Sequence, residues 1–413
     1  RFDHSRFHRC SPTLPTPRPE SMNSDAFPRR RITVLLIHAS FVLTGTVVTM
    51  LGPLIPILSA RWAISDAVAG SLFTSQFTGS TLGVALSSIL LPRLGFKSVL
   101  TSGMFWMACG VAGLGLSSWP NGLAAVFFYG IGFGIAVPTG NLWISSLYRE
   151  HDTGALNLIN MSWGIGAIIG PIVIAALVKK QHLDSFYWGL TAVLALVGVS
   201  VLLGATHSSK ETRGAANQEK VSSWKWRSAL IFGALFFLYV GSENAFSGWI
   251  ASHAKRLSAA DSAWALTPSF FWITLVAGRG FAPFVLRRFS DSVVATGGLV
   301  LAILGAALIL SAHNWHQAAA YALIAGIGFA PVYPIVISWM TRSFGDAATR
   351  VAGSMFALAG FGAATMPWLV GAIAQKYGSL RLGLIVPLIG LLSILTIFYT
   401  SPEIVRAGKN PSQ

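Results

Sequence analysis

Apolar and polar positions fall along this chain in long blocks, not in the short periods of an amphipathic soluble fold. Apolar stretches run near residues 32–58, 67–91, 98–117, 121–147, 153–178, 185–205, 227–252, 264–286, 292–311, 315–341, 350–374 and 381–400. Most are about 20 residues or longer, the length of helix that crosses about 30 Å of hydrocarbon. Inside lipid every backbone polar group must bond within the protein, which leaves helices or closed barrels. The pattern therefore predicts an all-α integral membrane protein of twelve transmembrane helices, here spans 1 to 12. Three polar segments interrupt it. Residues 1–28 are Pro-rich and without periodicity and are expected to be a disordered tail. Residues 206–226, mixed Lys, Glu, Ser and Gly, are expected to be a flexible linker, and residues 403–413 a short tail. Met22, followed by Asn-Ser-Asp, reads as an alternative start, so no function is assigned upstream of it.

The second half of the chain is a diverged copy of the first. Gly130-Ile131-Gly132-Phe133 recurs as Gly326-Ile327-Gly328-Phe329, and at the same offset Pro138 returns as Pro334 and Trp143 as Trp339. Gly164, Gly166, Ala167 and Pro171 return as Gly360, Gly362, Ala363 and Pro367; Gly45 and Gly52 return as Gly241 and Gly248. Two six-helix bundles, 29–205 and 227–402, follow. In an apolar chain such a repeat points to a transporter whose site lies between its halves.

Composition removes the alternatives. Only 10% of residues are charged and mean hydropathy is +0.63, too few charges to cover the surface of a soluble protein this long. The net charge of +15 would suit a nucleic-acid partner were it not for its distribution. Arg29 to Arg31, Arg93, Lys97, Arg149, the linker lysines, Arg287, Arg288 and Arg342 all fall on one set of alternate loops. The other set is poorer, with Arg61, Lys179, Lys180, Lys255, Arg256, Lys376 and Arg381. This bias places both termini in the cytoplasm of a cell-membrane protein and argues against nucleic acid. No cleavable leader pattern is visible, so span 1 is expected to act as the membrane-targeting signal. Cys10 and Cys109 lie too far apart in environment to pair. His38, His253, His313 and His316 lack the spacing of a metal site, with His253 and the last two expected in outer loops. No phosphate-cradling Gly-rich loop with its Lys is present. The expectation is a monomeric membrane protein without cofactor that binds a small solute and a proton and is not an enzyme.

The misplaced charges then carry most information. Glu243 is the one acid deep inside a span, roughly 20 Å along span 7 from its cytoplasmic end. A carboxylate there must face a wet cavity, have a partner or be protonated. It is the candidate proton-coupling and substrate group, with Asn244 beside it. Arg279 sits about 10 Å from the cytoplasmic end of span 8, which makes a direct salt bridge to Glu243 doubtful and a gate or anchor role the expectation. Arg93 is the other gate candidate. Gln76, Asn141, Asn157 and Asn160 are candidate substrate amides. Trp143, Trp163, Trp249, Trp272, Trp339 and Tyr333 are candidate walls, since amides and ring faces together suit a polyol. For any single tryptophan, packing or an interfacial belt is the commoner role. The predicted cavity lies near the midplane, lined by spans 1, 4, 7 and 10 with help from 2, 5 and 8.

These residues resemble the major facilitator superfamily: two six-helix bundles joined by a basic loop. Ser-Ile-Leu-Leu-Pro-Arg-Leu-Gly-Phe-Lys after span 2 is similar to the family's Gly-x-x-x-Asp-Arg-x-Gly-Arg-Lys signature. Arg93, Gly95 and Lys97 match it, while Pro92 and Ser88 replace the aspartate and first glycine. Gly241-Ser242-Glu243, Gly248-Trp249 and Phe271-Trp272 with Gly278-Arg279 look like the fucose permease-like sugar–proton symporters. That resemblance implies proton-coupled uptake of a sugar or sugar-like solute by alternating access. The first-helix aspartate and fourth-helix glutamate of those permeases are replaced here by Thr49 and Val137. Gly164 to Pro171 resembles instead the Gly-Pro stretch of proton-coupled drug antiporters. An exporter of amphipathic compounds, and a receptor that no longer transports, therefore stay open as alternatives.

Overall fold

A computed structural model of the chain describes residues 26–148, 152–205, 226–257 and 262–404. Most of the expected tail 1–28, Cys10, all but the last residue of the linker 206–226, and residues 405–413 lie outside them. The first helix already starts at Ala26 and the seventh span at Trp226, so the polar segments reach slightly less far than the apolar pattern implied. Among the described residues, eleven helices are long and apolar enough to cross a membrane. One of these, Asp66–Leu116, has 51 residues and would be about 77 Å long if straight. It is folded at Gly95, whose φ of 75° is open to glycine and strained for other residues. Spans 2 and 3 are its two arms, which restores twelve.

Span 1 comprises Ala26–Thr49 and Leu51–Trp62, and span 4 Asn121–Leu147. Spans 5 and 6 are Asp152–Lys179 and Leu183–Gly204. Span 7 is Trp226–Leu257, span 8 Thr267–Leu286 and span 9 Asp291–Leu310. Span 10 is split into Trp315–Phe329 and Val332–Phe344, span 11 is Ala348–Tyr377, and Leu380–Gly383 with Ile385–Thr400 make span 12. The split in span 10 has a local cause. Pro331 and Pro334 both lack the N–H that would bond one turn back, whereas span 4 holds only the repeat of Pro334, Pro138, and continues.

The repeated glycines are crossing points, which explains why the repeat preserved them. A Cβ on Gly130 would lie 2.3 Å from the Gln76 carbonyl of span 2, and one on its copy Gly326 2.3 Å from the Phe271 carbonyl of span 8. Gly132 and Gly328 press the other way, onto spans 3 and 9. Backbones this close gain dispersion contacts that larger residues would forbid, the packing available where lipid is as apolar as the side chains.

The halves meet along spans 2 and 11, 5 and 8, and the Leu51–Trp62 part of span 1 with span 7. Their polar contacts include a group at the end opposite the chain termini, called the far end below. There Asp66 accepts from Arg256 at 2.6 Å, Ser65 donates to Gln375 at 2.7 Å, and Lys255 donates to the Pro56 carbonyl at 3.2 Å. His253, expected in a loop, is buried in the last turn of span 7 with Nε2 3.1 Å from the Ile309 carbonyl. The long seventh helix carries it inside.

Candidate functional site

Between the halves lies a cavity of about 360 Å³, within the range of small-molecule sites. Both halves line it, through spans 1, 2, 4 and 5 on one side and 7, 8, 10 and 11 on the other. Span 11 was not expected to take part; Phe356, Ala359, Gly360 and Ala363 bring it to the wall.

The chemistry is concentrated on one side. Among the described residues, Glu243 and Arg279 are the only charged ones in the lining, and they are paired: Arg279 Nη2 lies 3.1 Å from Glu243 Oε2. This corrects the expectation that their depths keep them apart. Residue counts along two helices do not share an origin, and the 32-residue span 7 is longer than a bilayer needs. The long arginine side chain covers the remaining distance, so Arg279 lies in the cavity wall rather than at the mouth.

Tyr239, one turn before Glu243, completes the cluster. Its hydroxyl is 2.9 Å from Glu243 Oε2 and 2.8 Å from the Phe329 carbonyl, at the split in span 10. A phenol has one proton to donate, so it serves one of these acceptors at a time. Tyr239 stacks on Tyr333 at 5.3 Å, which itself lines the cavity. Asn244 faces the cavity while its Nδ2 donates to the Val240 carbonyl.

The opposite wall is aromatic and uncharged. Trp163 of span 5 and Trp272 of span 8 meet edge to face at 5.4 Å across the halves. Phe73, Phe77 and Phe133 extend that surface. Thr49 and Val137, where the fucose permease pattern has acids, both line the cavity. The first half therefore presents those two positions without their charge.

Several expected site residues are elsewhere. Gln76 is buried inside the first half, accepting from Tyr129 at 2.8 Å and donating to the Val48 carbonyl at 3.3 Å. Asn157 and Asn160 are exposed, and Asn160 donates back to the Leu156 carbonyl. The Oδ1 of Asn141 is buried with no hydrogen-bond partner, outside the cavity lining. Trp249 is fully buried and donates to the Pro367 carbonyl at 2.8 Å; Trp143 and Trp339 are buried within their own bundles. Arg93 is exposed at the turn between spans 2 and 3, away from the cavity. Gln76 and the three buried indoles serve helix packing, a role that sequence spacing does not separate from ligand binding.

Tyr239 was missed, although its spacing of four residues from Glu243 puts the two on one helix face. The phenylalanine wall had no signal, since phenylalanines occur throughout the spans. Among the described residues no group of His, Cys, Asp and Glu could hold a metal.

Comparison with known proteins agrees with this architecture. The sequence profile of the Major Facilitator Superfamily matches residues 37–367. A protein called TsgA homolog from Yersinia enterocolitica is 25% identical over 309 residues, covering 73% of this chain and 77% of its own. Among solved structures, the nucleoside transporter NupG superposes with a TM-score of 0.73 at 17% identity, over 92% of this chain and all of NupG. The E. coli fucose:proton symporter FucP does so with a TM-score of 0.61 at 17% identity and the same coverage. At these identities the superpositions speak for the fold.

Proposed function

Since the chain belongs to the Major Facilitator Superfamily and is a multi-pass membrane transporter, we propose that it is a proton-coupled symporter of a small polar solute, sugar-like in size, working by alternating access. The observation that carries this reading is the position of Glu243. It is the single carboxylate lining the cavity between the halves, and Tyr239 and Arg279 hold it there. A carboxylate at such a site can load a proton from one side and release it to the other, and a solute arriving beside it changes the relative stability of the two forms. The fucose:proton and nucleoside transporters that share the fold fit such a role.

With both termini in the cytoplasm, as the basic loops favour, the far end faces outward. Its contacts between Asp66 and Arg256 and between Ser65 and Gln375 then hold the two halves together on the outward side. Transport would need them to open while residues 30–205 rock against 227–402.

A specific feature favours the exporter as second reading: the phenylalanines on the first-half wall suit an amphipathic compound. The span 5 Gly-Pro stretch gives it less support. A Cβ on Gly166 would lie 1.8 Å from the Val42 carbonyl and one on Gly164 2.5 Å from Val276, so those glycines have a packing reason to be there. The two readings separate in cells. Thermal-shift screening of the purified chain against sugars, nucleosides, carboxylates and cationic dyes selects the solute, which is then offered to cells expressing the protein. The symporter gives saturable uptake with alkalinisation of the medium. Uptake without proton movement, or dye accumulation on deletion of the gene, rejects it.

A further inference from the structure

We propose that the transported solute is a small monoanion, a carboxylate on a sugar-like or aromatic frame, which takes the place of Glu243 on Arg279 once Glu243 is protonated. The inference rests on the proton-coupled reading above and narrows its substrate class.

Charge balance within the cavity selects the class of solute. Among the described residues, Glu243 and Arg279 are the only charged groups in the lining; Tyr239 on span 7 and Tyr333 on span 10 are its other titratable residues. Spans 1, 2, 4, 5 and 11 contribute hydroxyls, aromatic rings and small residues, with nothing that titrates. While Glu243 is ionised, it and Arg279 cancel. When Glu243 takes a proton from water, its negative charge is gone and the guanidinium stands alone beside Tyr239 and Tyr333. An uncompensated charge in a low-dielectric wall is costly. A neutral solute leaves that cost in place, a cation adds to it, and a dianion overshoots. A monoanion restores neutrality.

The geometry is suited to the exchange. Arg279 gives Glu243 one Nη2 contact, to a single carboxylate oxygen, and its Nε has no hydrogen-bond partner. A guanidinium carries five N–H donors in a planar fork that matches a carboxylate by two-point contact. With Nε buried and Tyr239 as a further contact, the half-buried guanidinium keeps part of that donor capacity for a second carboxylate. Protonated Glu243 keeps Tyr239 as a partner, now able to donate its own O–H to the phenol oxygen while the phenol donates to the Phe329 carbonyl. Proton and anion then stabilise each other's binding, and one of each crosses together with no net charge. On the opposite side both leave to water and Glu243 returns to Arg279.

The test uses the full chain in lipid nanodiscs and reads intrinsic tryptophan fluorescence, to which Trp163 and Trp272 in the lining contribute, during titration with matched pairs: glucuronate against glucose, and benzoate against benzamide. The expected result is carboxylate binding at least tenfold tighter than binding of the neutral twin, and tighter at acid than at alkaline pH. In Glu243→Gln the carboxylate should bind equally tightly at both pH values. In Arg279→Gln the preference for the carboxylate should vanish, and Arg279→Lys should restore part of it. In proteoliposomes a potassium–valinomycin potential should drive no carboxylate accumulation, whereas a pH gradient should. Neutral twins binding as well as acids, or no acid binding at all, overturns the proposal. Glucose uptake that carries protons through Glu243 would reject the anion and leave the symport reading standing. Carboxylate binding that ignores both pH and Glu243→Gln would keep an anion site and reject Glu243 as the proton carrier.

Discussion

Replacing Glu243 with methionine keeps side-chain volume, removes the carboxylate and strands the Arg279 guanidinium in the cavity wall. Removing one partner of a fully buried ion pair costs about 3–5 kcal/mol. The Arg279 side chain keeps 32% of its exposure, and water in the cavity screens it, so about 2–3 kcal/mol is the expected loss. Unfolding entropy of about 2.1 cal/mol/K per residue turns this into a Tm lowered by about 2–4 °C for a chain of this length. Arg279→Met should cost less, because Glu243 keeps its Tyr239 donor and can neutralise itself by taking a proton. The double variant removes both charges and should recover at least half of the Glu243→Met loss, a coupling of about 1–3 kcal/mol. Differential scanning fluorimetry on detergent-purified protein gives all four values. Additive losses, with the double variant the least stable, would refute the claim that these two charges depend on each other.

Three further outcomes follow from other contacts. Tyr239→Phe leaves Glu243 Oε2 and the Phe329 carbonyl without the shared O–H, so it should cost about 1–3 kcal/mol in the same melting assay and slow uptake. Asp66→Asn breaks the Arg256 contact at the far end. A half-exposed pair of this kind is worth up to about 1 kcal/mol, so labelling of Ser247→Cys by an impermeant maleimide from that side should rise up to about fivefold. Gly328→Val would drive a side chain into Ala302, whose backbone nitrogen would lie 2.1 Å from the new Cβ. It should abolish monodisperse protein on size exclusion, while Gly280→Ala, in open space, should not.

Span number, the internal repeat and the division into halves were legible because they are written in block-wise hydropathy and in glycines that cannot be exchanged where backbones cross. Gly130 with Gly326 and Gly132 with Gly328 show why the repeat survived. Glu243 was legible because an acid in mid-span has few inexpensive environments. Its partner was not. Residue counts along a helix give depth along that helix, not relative to a neighbour, and Arg279 could be placed only after the length of span 7 was known. Gln76, Asn157, Asn160 and Trp249 mark the other limit. Amides and indoles in membrane helices serve packing and exposed faces as often as ligands, and only the helix rotation, absent from composition, tells them apart. The reverse holds for Phe73, Phe77 and Phe356, which look like lipid-facing or core residues until the halves are brought together.

Whether Glu243 carries the coupled proton is tested most directly by proton flux in proteoliposomes loaded with a pH-sensitive dye. An inward gradient of the solute giving the largest thermal shift, with glucuronate and glucose as fixed probes, is applied to wild type and Glu243→Gln. The wild type should acidify the lumen as solute enters. The Gln variant should produce no acidification while still exchanging labelled for unlabelled solute, because its site is held neutral but keeps its shape and hydrogen bonds. Acidification by Glu243→Gln at the wild-type rate would contradict the account and move the proton to another group.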